Sequence, residues 1–170
     1  MGRSNVGKSS LINALVRQRL ARTSAAPGKT RLANIYRARR GGGPPFYLVD
    51  LPGYGYARGD RSELDAITRV YFGQERQNAA LLLVDSRHPG LENDLEAWRW
   101  LTVVVGRAAI VATKIDKLSR AERLRATATN EAVFEHPVLP VSSATGEGLD
   151  ELWKLIEQLK NPAPQKTPRK

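Results

Sequence analysis

Gly2-Arg3-Ser4-Asn5-Val6-Gly7-Lys8-Ser9 satisfies the pattern G-x-x-x-x-G-K-[ST] at every required position. Its glycines let the backbone curl until successive N–H groups, those of Arg3, Ser4, Asn5 and Val6 among them, point inward at phosphate oxygens. The helix predicted to start at Lys8 adds the positive end of its dipole. Lys8 offers a compact charge to the outer phosphates, and the Ser9 hydroxyl is a ligand for Mg2+. Taken alone, the same residues could be a glycine-rich helix start with no ligand. The spacing favours a P-loop.

Working outward, apolar runs alternate with helical patterns, which predicts an α/β fold with a mostly parallel sheet flanked by helices on both faces. Strands are expected at 33–37, 46–49, 79–85, 109–113 and 138–141, and helices at 8–16, 62–75, 92–105, 120–130 and 148–159. Gly41-Gly42-Gly43-Pro44-Pro45 separates the first two strands and reads as an antiparallel hairpin connection. Leu149, Leu152, Trp153, Ile156 and Leu159 fall at three- and four-residue spacing, a stripe that faces a core. Trp98, Trp100 and Trp153 are expected to be core residues.

The chain has 170 residues, 41% hydrophobic and 26% charged, enough for one domain with a core. That domain is expected over 1–160, with 161–170 as a basic, disordered tail. Without cysteine there is neither a disulfide framework nor a thiolate metal site. The apolar runs Ala79–Val84 and Leu101–Val105 are too short to span a bilayer, and no signal segment opens the chain. A cytoplasmic protein without a membrane partner is expected. A formal net charge of +10 suits a polyanionic partner, with a merely soluble basic surface as the alternative.

Two further segments fit the phosphate site. Asp50-Leu51-Pro52-Gly53 follows an apolar strand; Asp50 is placed to reach Mg2+ through water, and the Gly53 N–H to sense the terminal phosphate. Thr30, within Pro27-Gly28-Lys29-Thr30-Arg31, offers Mg2+ a second hydroxyl, unless it is only a solvated loop residue. Thr113-Lys114-Ile115-Asp116 then follows the strand expected at 109–113. A carboxylate accepts the two adjacent donors of guanine, its N1–H and exocyclic amine, whereas adenine would leave Asp116 unpaired. The Lys114 stem can cover the purine face, and N–H groups of Ser142-Ser143-Ala144 can meet the guanine O6. All lie at strand C-terminal ends, where open α/β sheets bind ligands. An ATPase reading conflicts with Asp116.

With those motifs in order, the chain resembles a translation-factor-type GTPase of the TrmE-Era-EngA-EngB-like group, specifically the EngB (YihA/YsxC) family of ribosome-biogenesis GTP-binding proteins. The resemblance covers nearly all of residues 2–160. Besides the P-loop through Leu15, it rests on Leu20-Ala21-Arg22-Thr23-Ser24 and Pro27-Gly28-Lys29-Thr30, and on 48–57, with its Pro-Gly-Tyr-Gly-Tyr run. Asp85-Ser86-Arg87-His88-Pro89 and Thr113-Lys114-Ile115-Asp116-Lys117-Leu118 complete it. It implies GTP hydrolysis coupled to late assembly of the large ribosomal subunit and its rRNA, with effects on cell division and septation; separately from the resemblance, a monomer is expected. It also implies Mg2+ on Ser9 and Thr30, and nucleotide contacts at 2–9, at Gly28, Lys29, Thr30, Arg31 and Leu32, and at 50–53. The base falls at 113–116 and 142–144, and the catalytic work to Lys8, Thr30 and Asn5.

Tyr54 stands where many GTPases carry a water-orienting glutamine, so unassisted hydrolysis is expected to be slow. Asn5 is the expected anchor of K+, which would add positive charge beside the phosphates; bracing of the loop is its other reading. His88 is expected in packing or partner contact rather than as a base. Arg17, Arg19, Arg22, Arg37, Arg39 and Arg40 suit an RNA backbone or, equally, a solvated face. A P-loop needs a strand feeding into it, and with Gly2 second in the chain that first strand is missing. Upstream residues are expected to supply it. The second function class is an RNA-binding factor that holds nucleotide with little turnover.

Overall fold

The computed structural model describes residues 1–16, 34–39, 43–54 and 79–160. The helix expected at 62–75, the loop residues Gly28 to Leu32, the tail 161–170, and Arg17, Arg19, Arg22 and Arg40 lie outside the described residues.

Strands β1 (Asn34–Ala38) and β2 (Phe46–Asp50) pair antiparallel, with Asn34 opposite Asp50 and Ala38 opposite Phe46. Strands β3 (Ala80–Asp85), β4 (Ala108–Thr113) and β5 (Val138–Pro140) pair in parallel, in the order β3-β4-β5. Residues 1–3 lie between the two pieces. Gly2 forms a parallel bridge to Leu83 and Arg3 one to Tyr54, and the Leu83 N–H donates to the Met1 carbonyl at 2.9 Å. Among the described residues this short stretch stands where the strand before a P-loop is expected.

The apolar run of β3 has a simple cause: successive side chains point to opposite faces, and both faces are covered. Leu82 and Val84 pack with Ile110 and Ala112 against helices α2 (Glu92–Val104) and α3 (Arg120–Phe134), through Trp98, Leu101 and Phe134. Leu83 and Val111 pack on the other side against α1 (Lys8–Val16) and α4 (Leu149–Lys160), through Leu11, Leu15, Leu152 and Ile156. Trp98 is a core residue as expected, whereas Trp100 and Trp153 are only partly buried at the edges of the clusters. Trp98 is buried edge-on to the His136 ring, Trp100 packs on the first cluster, and Trp153 meets Phe46 edge-on in the second.

Helix α3 starts where its sequence says it should. The Ser119 N–H donates to the Glu122 carboxylate at 2.8 Å and the Glu122 N–H returns to the Ser119 hydroxyl, a capping box. It runs four residues past the expected end at Asn130, to Phe134. Asn130 resembles a helix stop but is fully buried, its Oδ1 accepting from the Gly90 N–H at 3.0 Å. Burial of Phe134 carries the helix on, and Glu135 ends it in a left-handed conformation.

Because residues 1–3 run parallel to both β3 and the end of β2, the C-terminal ends of β2, β3, β4 and β5 share one edge of the sheet. The N-terminus of α1 opens onto that edge.

Candidate nucleotide site

The loop preceding α1 turns through two left-handed residues, Asn5 (φ 62°) and Gly7 (φ 104°), while Val6 is 1% exposed and pins it to the core. Thr113, at the end of β4, fixes the loop from beneath. Its hydroxyl lies within 2.6 Å of the Val6 carbonyl, to which it donates, and 3.0 Å of the Val84 carbonyl. The Thr113 side chain thus braces the loop against the sheet. Lys8 spans the loop from the helix side, donating to the Gly2 carbonyl at 3.0 Å and the Arg3 carbonyl at 3.1 Å. Burial lowers the Lys8 pKa and Asp50 opposes that shift, so the ammonium is sparsely hydrated and strongly drawn to an anion.

Asp50 ends β2 at the same place. Its Oδ2 accepts from the Ser9 hydroxyl at 3.2 Å, and its Oδ1 is buried with no partner. An unpaired buried carboxylate oxygen beside a serine hydroxyl is a donor set for a hard cation. Among the described residues no cluster of three or more His, Asp or Glu forms a protein-only metal site. Leu51 is buried, and beyond Pro52, Gly53 presses on the loop. A Cβ there would stand 2.7 Å from the Ser4 nitrogen and 2.8 Å from Lys8 Nζ. Only glycine lets this backbone reach the lysine.

The second half of the site lies beyond β4. Lys114 has a left-handed φ of 62°, and its ammonium donates to the Asn5 carbonyl and to Asp85 Oδ2, the latter at 2.8 Å. Asp85 also takes two bonds from the Arg87 guanidinium. Burial opposes its ionisation, but the bonds from Arg87 and Lys114 outweigh burial and hold the carboxyl well below the usual range. Ile115 is buried, and Asp116 follows on a short 3-10 turn. Asp116 Oδ1 accepts from the Ser142 hydroxyl at 2.7 Å, and Lys117 Nζ lies 3.3 Å from Oδ2. The Ser142 bond, followed by Lys117, lowers the Asp116 pKa and keeps it an acceptor. The Ser142 oxygen in turn accepts the N–H groups of Ala144 at 3.2 Å and Thr145 at 3.1 Å, shaping the loop through Ser143.

The structure therefore brings together residues 2–9, 50–53, 113–116 and 142–144; residues 28–32 lie outside the described set. His88 is exposed on the turn after β3, where its N–H donates to the Asp85 carbonyl. Two carboxylates had no role assigned from sequence. Asp85 carries a signal, an acid ending an otherwise apolar strand. Asp94 carries another, an acid on the stripe it shares with Ala97, Trp98 and Leu101 in α2. Asp94 accepts from the Tyr54 hydroxyl at 2.7 Å and from Arg3 Nε at 3.1 Å.

Known proteins resemble this chain in sequence and in fold. The family described as a 50S ribosome-binding GTPase matches residues 1–114. A probable GTP-binding protein EngB from Chlorobaculum tepidum is 44% identical over 164 residues, covering 92% of this chain and 83% of its own. A crystal structure of a probable GTP-binding protein EngB superposes with a TM-score of 0.70 at 23% identity, over 95% of this chain and 97% of its own. Era, in complex with MgGDPNP and nucleotides 1506–1542 of 16S ribosomal RNA, superposes with a TM-score of 0.77 at 22% identity. That match takes in 99% of this chain and 57% of the Era chain, and at this identity it speaks for the fold alone. The P-loop spacing and the length of the matches converge: this chain belongs to the EngB GTP-binding proteins within the 50S ribosome-binding GTPase family, whose members bind and hydrolyse GTP.

Proposed function

We propose that this chain is a GTP-driven switch in assembly of the large ribosomal subunit, with GTP seated on residues 2–9, 50–53, 113–116 and 142–144. The observation that carries this reading is Asp116, an ionised acceptor held by Ser142 on the same sheet edge as the P-loop. Guanine meets it with two adjacent donors; adenine has no such pair, and the resulting unpaired group excludes ATP. Ser9 and Asp50 would hold Mg2+, supported by the unpartnered Asp50 Oδ1, with Thr30 adding a second hydroxyl. The ion would neutralise charge on the phosphates. Lys8 binds the outer phosphates, and residues 28–32 add nucleotide contacts. Asn5, exposed at the mouth of the loop, anchors K+; equal turnover in KCl and NaCl, with and without Asn5→Ala, would end that part.

The partner is the large subunit and its rRNA, supported by the family description and by the net charge of +10. Arg37 and Arg39 contribute to the contact, with Arg17, Arg19, Arg22, Arg40 and the basic tail. The protein acts as a cytoplasmic monomer, and cell division and septation depend on it through ribosome supply. Among the described residues no helix is long and apolar enough to cross a membrane. Calorimetry should find GTP bound and ATP not. Co-sedimentation should find the chain on large subunits with a GTP analogue and released with GDP; equal partitioning would sink the switch.

A second reading draws on Tyr54. Its hydroxyl is engaged by Asp94 at 2.7 Å, so the residue after Gly53 presents no amide to a water. An RNA-binding factor that holds nucleotide with little turnover is this second reading. Phosphate release stimulated by large-subunit particles separates the two readings.

A further inference from the structure

The second carboxylate without a sequence-assigned role, Asp94, lies 1% exposed in the first turn of α2. An acid this buried is costly unless something compensates it. Its Oδ1 takes both the Tyr54 hydroxyl and Arg3 Nε, whereas Oδ2 is buried with no partner. Packing alone would favour an apolar side chain beside Trp98 and Leu101. The carboxylate instead holds two residues that flank the phosphate site.

Both partners are placed to matter. Arg3 lies in the P-loop, and its carbonyl accepts from Lys8. Tyr54 directly follows Gly53, and its own carbonyl accepts from the Ser4 N–H at 3.2 Å. Gly53 is the residue whose backbone reaches Lys8 Nζ so closely that a Cβ would stand 2.8 Å away. Tyr54 is therefore tied at two points, its backbone to the loop and its ring to α2. Gly53 is the residue directly before both ties.

We propose that Asp94 is a positioning residue for GTP hydrolysis, holding Tyr54 so that the Gly53 N–H faces the terminal phosphate beside Lys8. This rests on the phosphate-site assignment made above. The terminal phosphate is what distinguishes GTP from GDP, so a defect in the clasp affects hydrolysis and leaves GDP binding alone. Displacements of about an ångström in a positioned group can cost as much as a hundredfold in rate.

The test uses the full chain with Tyr54→Phe, Asp94→Ala, Asp94→Asn and the double variant Tyr54→Phe/Asp94→Ala. Single-turnover hydrolysis at saturating GTP, affinity for a fluorescent GDP analogue, and melting temperature are read for each. Tyr54→Phe and Asp94→Ala should each slow hydrolysis about tenfold or more while GDP affinity stays within about twofold. The double variant should be no slower than Asp94→Ala, because both changes break one link. Asp94→Asn, whose amide oxygen still accepts from Tyr54, should recover most of the rate. Wild-type rates in Tyr54→Phe, or rate, GDP affinity and melting temperature falling together in it, would overturn the positioning role. Tyr54→Phe removes a single hydroxyl and guards against an Asp94→Ala variant that fails to fold. Lys8→Ala separates the two readings: unchanged GDP affinity there would overturn the site assignment itself.

Discussion

Lys114 and Asp85 form an ion pair, Nζ to Oδ2 at 2.8 Å, that joins the loop after β4 to the end of β3. The same ammonium donates to the Asn5 carbonyl, so one side chain links the loop after β4, β3 and the P-loop. Lys114 holds a left-handed backbone, a conformation that persists when its surroundings determine it. Asp85→Asn removes the charge that aims Lys114. Affinities for GTP and GDP should fall together, by about tenfold, since a charged hydrogen bond is worth roughly 1.5–3 kcal/mol. Arg87, 43% exposed on the outer side of Asp85, should matter far less, and Arg87→Ala should stay within about threefold. Fluorescent-nucleotide titration checks both.

The same pair sets an acid dependence. Asp85 in the folded chain titrates below its ordinary value of 3.8, so its contribution to stability is complete above that value. It is lost as pH falls below 3.8 toward the depressed native pKa. Melting temperature should drop on that acid side, and Asp85→Asn should lower it at neutral pH while flattening the acid drop. An acid limb identical in the two proteins would show that other carboxylates govern it.

Ser142 organises the loop proposed to hold the base through one hydroxyl, which donates to Asp116 and accepts from Ala144 and Thr145. Ser142→Ala leaves two N–H groups without that acceptor and frees the carboxylate to turn. Guanine-nucleotide affinity should fall by about tenfold, from a loss of roughly 1–3 kcal/mol. Asp116→Ala should cost about a hundredfold or more, with no gain for ATP, because removing the acceptor supplies adenine with nothing. Calorimetry with both nucleotides is the measurement.

The pattern of legibility has a physical cause. Residues 2–9 are contiguous, so their chemistry is written in their spacing. The strands were readable to within a residue or two because burial on both faces forces apolar runs such as Leu81-Leu82-Leu83-Val84. Side-chain roles set by distant partners were not. Thr113 belongs to the base motif by position, yet its hydroxyl reaches Val6, 107 residues away. In the sequence Tyr54 is only an aromatic in place of glutamine, whereas its partner Asp94 lies 40 residues on, in α2. Asn130 looked like a helix end because the pairing of its amide with Gly90 is decided only when α3 packs.

That amide predicts a stability effect remote from the nucleotide. Asn130 is fully buried, and its Oδ1 satisfies the N–H of Gly90, in the turn that leads from β3 into α2. Asn130→Leu would leave that partly buried N–H without its acceptor in a crowded position. The expected cost is about 1–3 kcal/mol, a melting temperature lower by roughly 2–12 °C, with GDP affinity unchanged at temperatures where the protein stays folded.

Gly53 gives the sharpest steric prediction. An added Cβ would meet the Ser4 nitrogen at 2.7 Å and Lys8 Nζ at 2.8 Å. The lysine tip can swing away, but the Ser4 nitrogen is backbone in a loop pinned by Val6 and Thr113, so the segment carrying Gly53 must retreat instead. Gly53→Ala should therefore move the Gly53 N–H off the terminal phosphate and slow hydrolysis by about a hundredfold. GDP, which lacks that phosphate, should bind within about threefold of wild type. The retreat also strains the Tyr54 to Asp94 bond, so Tyr54→Phe in the Gly53→Ala background should add little further loss. Single-turnover rates for the two single variants and the pair decide it, and fully multiplicative losses would mean that the two residues act independently.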